Sequence, residues 1–139
     1  MRKAFSLIEL MVVIIILGML TALVVPQVMG RKEQAEQKLT CVQMRNTAQS
    51  LEMFRMDNGA YPTTEQGLEA LISNPDADRF RNYPNGGYMN AKQAPKDPWN
   101  SAYIYIQDDE GFEILSLGAD GKEGGDGQNK DIKLSECER

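Results

Sequence analysis

Phe5 to Val25 reads FSLIELMVVIIILGMLTALVV, with a single charged residue, Glu9. A helix over this stretch is roughly 30 Å long at about 1.5 Å per residue, the thickness of a bilayer's hydrocarbon core. Arg2 and Lys3 precede it, which keeps the short N-terminus cytoplasmic and sends the rest of the chain across the membrane. A cleaved secretory signal has a shorter apolar core and a small-x-small cleavage site, whereas this stretch ends in VVPQV. A plain single-span anchor accounts for everything except Glu9. A carboxylate in a membrane segment costs about 3 kcal/mol on insertion scales, and its retention points to a task. Its place near the helix N-terminus lowers that cost through the helix dipole.

The averages conceal this segment. The 139 residues carry a formal net charge of −5 and a mean hydropathy of −0.43, values typical of a soluble chain of single-domain size. The sequence contains no histidine. That removes the usual general base, the commonest imidazole metal ligand and any Ser-His or Cys-His nucleophile pair. The acidic balance argues against nucleic acid as a partner. Cys41 and Cys137 are too few for a disulfide-rich scaffold and wrongly spaced for a zinc finger.

Beyond Gly30 the composition turns amphipathic. Cys41, Met44, Ala48, Leu51 and Phe54 recur at helical spacing, and Asn58-Gly59 is a stop signal. One helix over residues 5–57 is expected, roughly 75–80 Å long. Gly18 and Pro26 weaken its continuity. Thr63 and Gln66 form a capping-box pattern, predicting a short helix with Leu68, Leu71 and Ile72 on its apolar side. Residues 76–97 read as loop, and Trp99 as a core anchor. AYIYIQ at 102–107 and FEILSL at 112–117 read as a β-hairpin, with a third strand near 131–134. The expected class is α+β: a long helix packed on a small antiparallel sheet.

Residues 118–131 read GADGKEGGDGQNKD. Asp120, Glu123, Asp126 and Asp131 are hard oxygen ligands, and the glycines let the backbone turn sharply and present carbonyls. Ca²⁺ takes about 6–8 oxygens in flexible geometry, whereas zinc prefers nitrogen and sulfur donors. The spacing is not that of an EF-hand. On composition alone, a solvated, turn-rich loop is the favoured reading over a calcium site.

The start MRKA-FSLIEL resembles the class III leader of type IV pilins and pseudopilins. In that family a prepilin peptidase cuts after a small residue and methylates the new amine, while the apolar segment is retained. The resemblance implies cleavage between Ala4, where the family usually has Gly, and Phe5. Glu9 is then the fifth mature residue, pairing with the N-terminal ammonium of a neighbouring subunit. YPTTEQGL at 61–68, DPW at 97–99 and SLGADGKEGGDG at 116–127 resemble the major pseudopilins of type II secretion systems. The usual Trp-containing end of that family is replaced by DIKLSECER. This resemblance implies residues 1–4 as leader, 5–29 as the transmembrane and assembly half of the helix, and 30–139 as a periplasmic globular domain.

The resemblance also implies Ca²⁺ in the acidic loop. Asp120 and Asp131 would be the side-chain ligands, the carbonyls of Leu117 and Lys122 would contribute, and Asp126 and Gln128 are further candidates. Cys41 and Cys137 lie in an oxidising compartment on this reading, where a disulfide forms; one buried and one tail thiol is the alternative. The implied function is a structural, non-enzymatic subunit of the bacterial inner membrane. It would polymerise with itself and with minor pseudopilins, driven by an assembly platform and ATPase, to export exoproteins. Two alternatives stay open: a true type IV pilin or minor pseudopilin, and a membrane-tethered calcium-dependent binding protein.

Overall fold

Helix α1, Leu7–Asn58, joins two stretches whose faces are set by different surroundings. The computed structural model describes residues 3–137. The chain divides into two units, Met1–Ala35 and Glu36–Arg139; this boundary, like Gly30 where the composition changes, lies inside α1. In the first unit the helix is assigned without a break through Gly18 and Pro26. It is apolar all round, and its large hydrophobic side chains are exposed. An apolar stretch without a core of its own belongs in lipid or against other subunits. By length and composition it can cross a membrane.

In the second unit α1 becomes one wall of a core. Met44, Leu51 and Phe54 are fully buried, whereas Cys41 and Ala48 are half-buried. Thr40 and Thr47 are also fully buried, which the apolar stripe does not predict. Each hydroxyl donates to the carbonyl one turn back, Glu36 and Gln43 respectively, at 2.8 Å. With their polar atoms satisfied inside the helix, they pack as small aliphatic groups. Asn58 Nδ2 donates to the Phe54 carbonyl and Gly59, at φ 82°, turns the chain away, ending the helix as expected.

The Thr63–Gln66 capping pair forms reciprocally: Thr63 N donates to Gln66 Oε1 at 3.0 Å and Gln66 N to Thr63 Oγ1 at 3.2 Å. The pair opens onto a turn and a short 3₁₀ helix, Leu68–Leu71, rather than an α-helix. Gly67 sits at φ 62°, ψ −165°, outside helical space, and interrupts the run. Leu68 and Leu71 are buried and Ile72 half-buried.

Three strands form one antiparallel sheet in the order β1-β2-β3: Ile104–Asp108, Gly111–Ser116 and Ile132–Lys133. Ile104 pairs with Leu115, and Asp108 with Gly111. The hairpin is closed by Asp108 Oδ1, which accepts from Glu110 N and Gly111 N at 2.9 Å. The four-residue helix α2, Leu134–Cys137, comes directly after β3. Tyr103, Tyr105, Ile114, Ile132 and Leu134 complete the core with Phe80. Burial raises the pKa of Tyr103 and Tyr105 above the ordinary phenol range, favouring the neutral hydroxyl. They donate to Gln43 Oε1 at 2.6 Å and to the Pro62 carbonyl at 2.8 Å.

Asp97, not Trp99, is the buried anchor of the DPW turn; Trp99 is half-buried against the core. Asp97 Oδ1 accepts from Trp99 N at 3.1 Å and Ser101 N at 2.8 Å, and Oδ2 from Ser116 Oγ at 2.8 Å. Charge-assisted bonds of this kind satisfy a buried carboxylate without a counter-ion. Asp97→Ala orphans these donors and is expected to cost about 3 kcal/mol. Chemical unfolding of the full chain in detergent, monitored by circular dichroism, checks this; an unchanged midpoint would refute it.

Candidate functional site

The first site is the start of α1. Ser6 N donates to Glu9 Oε2 at 2.9 Å and Glu9 N donates to Ser6 Oγ at 3.3 Å. This is a capping box, in which two of the helix's unpaired N–H groups are satisfied reciprocally. The Ser-x-x-Glu spacing is present in SLIE, but the apolar run around it makes Glu9 stand out alone. The carboxylate therefore has a local partner within the subunit, beside the positive end of the helix dipole. Phe5, Ile8, Val12 and Val13 surround it in a shallow apolar facet. Ala4 and Phe5 lie just before the helix and are exposed, as a site of proteolysis requires. Met1 and Arg2 of the expected leader lie outside the described residues.

The second site is the loop between β2 and β3. Asp120 Oδ1 accepts from Lys122 N at 3.1 Å, which folds the near limb into a tight turn. Asp131 Oδ2 accepts from Gly124 N at 2.9 Å. The limbs are joined where Ala119 N donates to the Gln128 carbonyl at 2.8 Å. Gly118 and Gly125 have φ of 73° and 102°, and a Cβ on either would come within 2.8 Å and 2.7 Å of opposing backbone. Side chains at these two positions would force the loop open.

The loop's donors are carboxylates and carbonyls, the chemistry of a hard cation. Asp131 Oδ1 is buried and has no hydrogen-bond partner, which leaves a charged oxygen to be satisfied. Among the described residues no group of three or more His, Cys, Asp or Glu is placed to hold a metal. A cation here would thus depend on carbonyls, such as those of Leu117 and Lys122, as much as on Asp120 and Asp131. Asp126 uses its carbonyl to accept from Asn129 N at 3.1 Å, and its side chain is exposed like that of Gln128.

The loop is fastened to its surroundings by residues that local pattern did not reveal. Ser116 Oγ accepts from Gly118 N at 3.2 Å while donating to Asp97, so the buried carboxylate fixes the loop's entrance. Gln37 Nε2 donates to the Gly127 carbonyl at 3.3 Å. Cys41 and Cys137 form a disulfide, and the guanidinium of Arg45 donates to the Cys137 carbonyl.

An apolar helix with one carboxylate, continued into the core of a small α+β unit, is the build of a pilin-like subunit. The family model for type II secretion system protein G matches residues 27–135, and that for the prokaryotic N-terminal methylation motif matches residues 1–25. The chain belongs to the type II secretion system protein G family. It is 46% identical to the type II secretion system core protein G of Vibrio cholerae, over 95% of this chain and 92% of that one. It is 46% identical to the core protein G of Pseudomonas aeruginosa, over 94% and 93%. The crystal structure of the major pseudopilin from the type 2 secretion system of enterohaemorrhagic Escherichia coli superposes with a TM-score of 0.63. The identity is 35%, covering 79% of this chain and 95% of that one.

Proposed function

We propose that this chain is the major structural subunit of the pseudopilus of a type II secretion system. The observation that carries the reading is the exposed apolar start of α1 with its single carboxylate, joined to the protein G fold. Cleavage after Ala4 by a prepilin peptidase frees the amine of Phe5, which is then methylated. The apolar segment holds the subunit in the bacterial inner membrane, with the globular unit in the periplasm. Subunits are then drawn into a filament by the platform and ATPase, with minor pseudopilins among them, to move exoproteins outward. The chain's task is assembly, not catalysis. N-terminal sequencing of the membrane-inserted form tests the reading: it predicts a methylated Phe5, and a start near Gln27 would refute it.

Calcium belongs to the same proposal. The unpartnered Asp131 Oδ1 and the carbonyl-rich loop support a site for it. Asp120 and Asp131 would hold the ion together with carbonyls of the loop, and its charge would offset repulsion among the carboxylates. A ligand that binds only the folded state stabilises it by about 2.7 kcal/mol at a hundredfold excess over Kd. A melting temperature about 10 °C lower in chelator than in excess calcium is expected for the full chain in detergent. A melting temperature indifferent to chelator would refute the site.

A further inference from the structure

Gln37, Cys41 and Arg45 stand one helical turn apart on α1, and residues at such spacing share a face. All three grip the segment from Gly127 to Cys137: Gln37 at the Gly127 carbonyl, Cys41 through the disulfide, Arg45 at the Cys137 carbonyl. This segment carries the acidic loop's far limb and ends at a covalent tie. The near limb is held differently, by the six-residue strand β2 and the Asp97–Ser116–Gly118 chain of hydrogen bonds.

The far limb has little sheet to hold it. Strand β3 is two residues long and pairs only through Leu115↔Lys133 and Ser116↔Ile132. Asp131, whose Oδ1 is buried without a partner, directly precedes that strand. Ile132 and Leu134 reach the core, but so short a pairing specifies its register weakly. Beyond that pairing, Ser135 N donates to Glu113 Oε1 at 3.2 Å, Gln37 and Arg45 hold the two ends of the segment, and the one covalent restraint is Cys137, bound to Cys41 of α1. We infer that the Cys41–Cys137 disulfide and the Arg45 contact are positioning elements of the cation site. The oxidised chain presents Asp131 in binding geometry, and the reduced chain binds the cation more weakly. The inference rests on the calcium reading and adds its regulation: a subunit acquires full affinity only where its thiols are oxidised. Oxidation forms the S–S bond and releases two electrons and two protons to a thiol-oxidising partner of the compartment.

The test is calcium titration by calorimetry on the full chain in detergent, at fixed ionic strength. Three forms are compared: the oxidised chain, the Cys41→Ser/Cys137→Ser double variant, and Arg45→Met with the disulfide intact. Groups that support metal ligands from behind contribute about tenfold or more in affinity. We expect binding about tenfold weaker both without the disulfide and in Arg45→Met. Circular dichroism of each form checks that the fold is kept. If the cysteine-free chain does not fold, Arg45→Met decides alone. Equal affinities in the oxidised chain and the folded variants would overturn this inference while leaving the calcium site standing. No binding by the oxidised chain would overturn the calcium reading, and this inference with it.

Discussion

Glu9→Ala is expected to leave the subunit in the membrane and to abolish filament growth. The substitution makes the apolar segment more hydrophobic, so insertion is retained. On the proposed pairing, it leaves the ammonium of a neighbour's Phe5 without its counter-charge in the assembled state. Removing one partner of a buried ion pair costs about 3–5 kcal/mol, or about two to four decades in subunit affinity. Glu9→Gln separates two roles of the side chain. Its amide oxygen can still accept from Ser6 N, which the carboxylate does at 2.9 Å, but it carries no charge. Both variants are expected to fail in assembly, since capping alone does not supply the pair. Membrane fractionation and electron microscopy of cells overproducing the subunit give the readout. Filaments of normal number and length from either variant would refute the role.

Removing the disulfide carries the next largest effect. The bond closes a loop with a sequence separation of 96 residues. On the chain-entropy model this stabilises the fold by about 4–5 kcal/mol, by restricting the unfolded chain. The double variant Cys41→Ser/Cys137→Ser should therefore melt about 20 °C lower than the oxidised chain in the same detergent and calcium concentration. A shift of only a few degrees would mean that the bond does not restrain the unfolded state in this way. Cys137 is buried, so a serine there also loses packing. Reduction of the unmutated chain, which keeps both sulfur atoms, separates that contribution.

The features legible in the sequence are those that depend on neighbouring residues. The apolar run and Glu9, the hairpin of residues 102–117, the Asn58-Gly59 stop and the Thr63–Gln66 cap are all local patterns, and the structure contains each of them. Helix type after the cap was not legible, because it turns on the backbone angles of Gly67. Thr40 and Thr47 read as polar, since nothing in the composition shows that a hydroxyl will bond inside its own helix. The supports of the acidic loop are the hardest to foresee. Asp97 meets Ser116 at a separation of 19 residues and Gln37 meets Gly127 at 90. Such pairings arise from the fold, not from any spacing along the chain. Both cysteines were visible, but only the packing of α2 beside α1 brings their Cα atoms to 5.5 Å.

The sheet has two outer edges, and each is blunted against pairing with another chain. At the β1 edge, Thr64 Oγ1 accepts from Gln107 N at 2.9 Å and lies 3.4 Å from the Gln107 carbonyl, to which it donates. That hydroxyl occupies backbone groups which an incoming strand would need. The β3 edge is only two residues long. Exposed strand edges invite lateral growth into amyloid-like ribbons. A protein concentrated by its own polymerisation faces that hazard at every contact. With both edges blunted, growth by strand addition is disfavoured, and the exposed helix is left as the route by which copies of the chain can join.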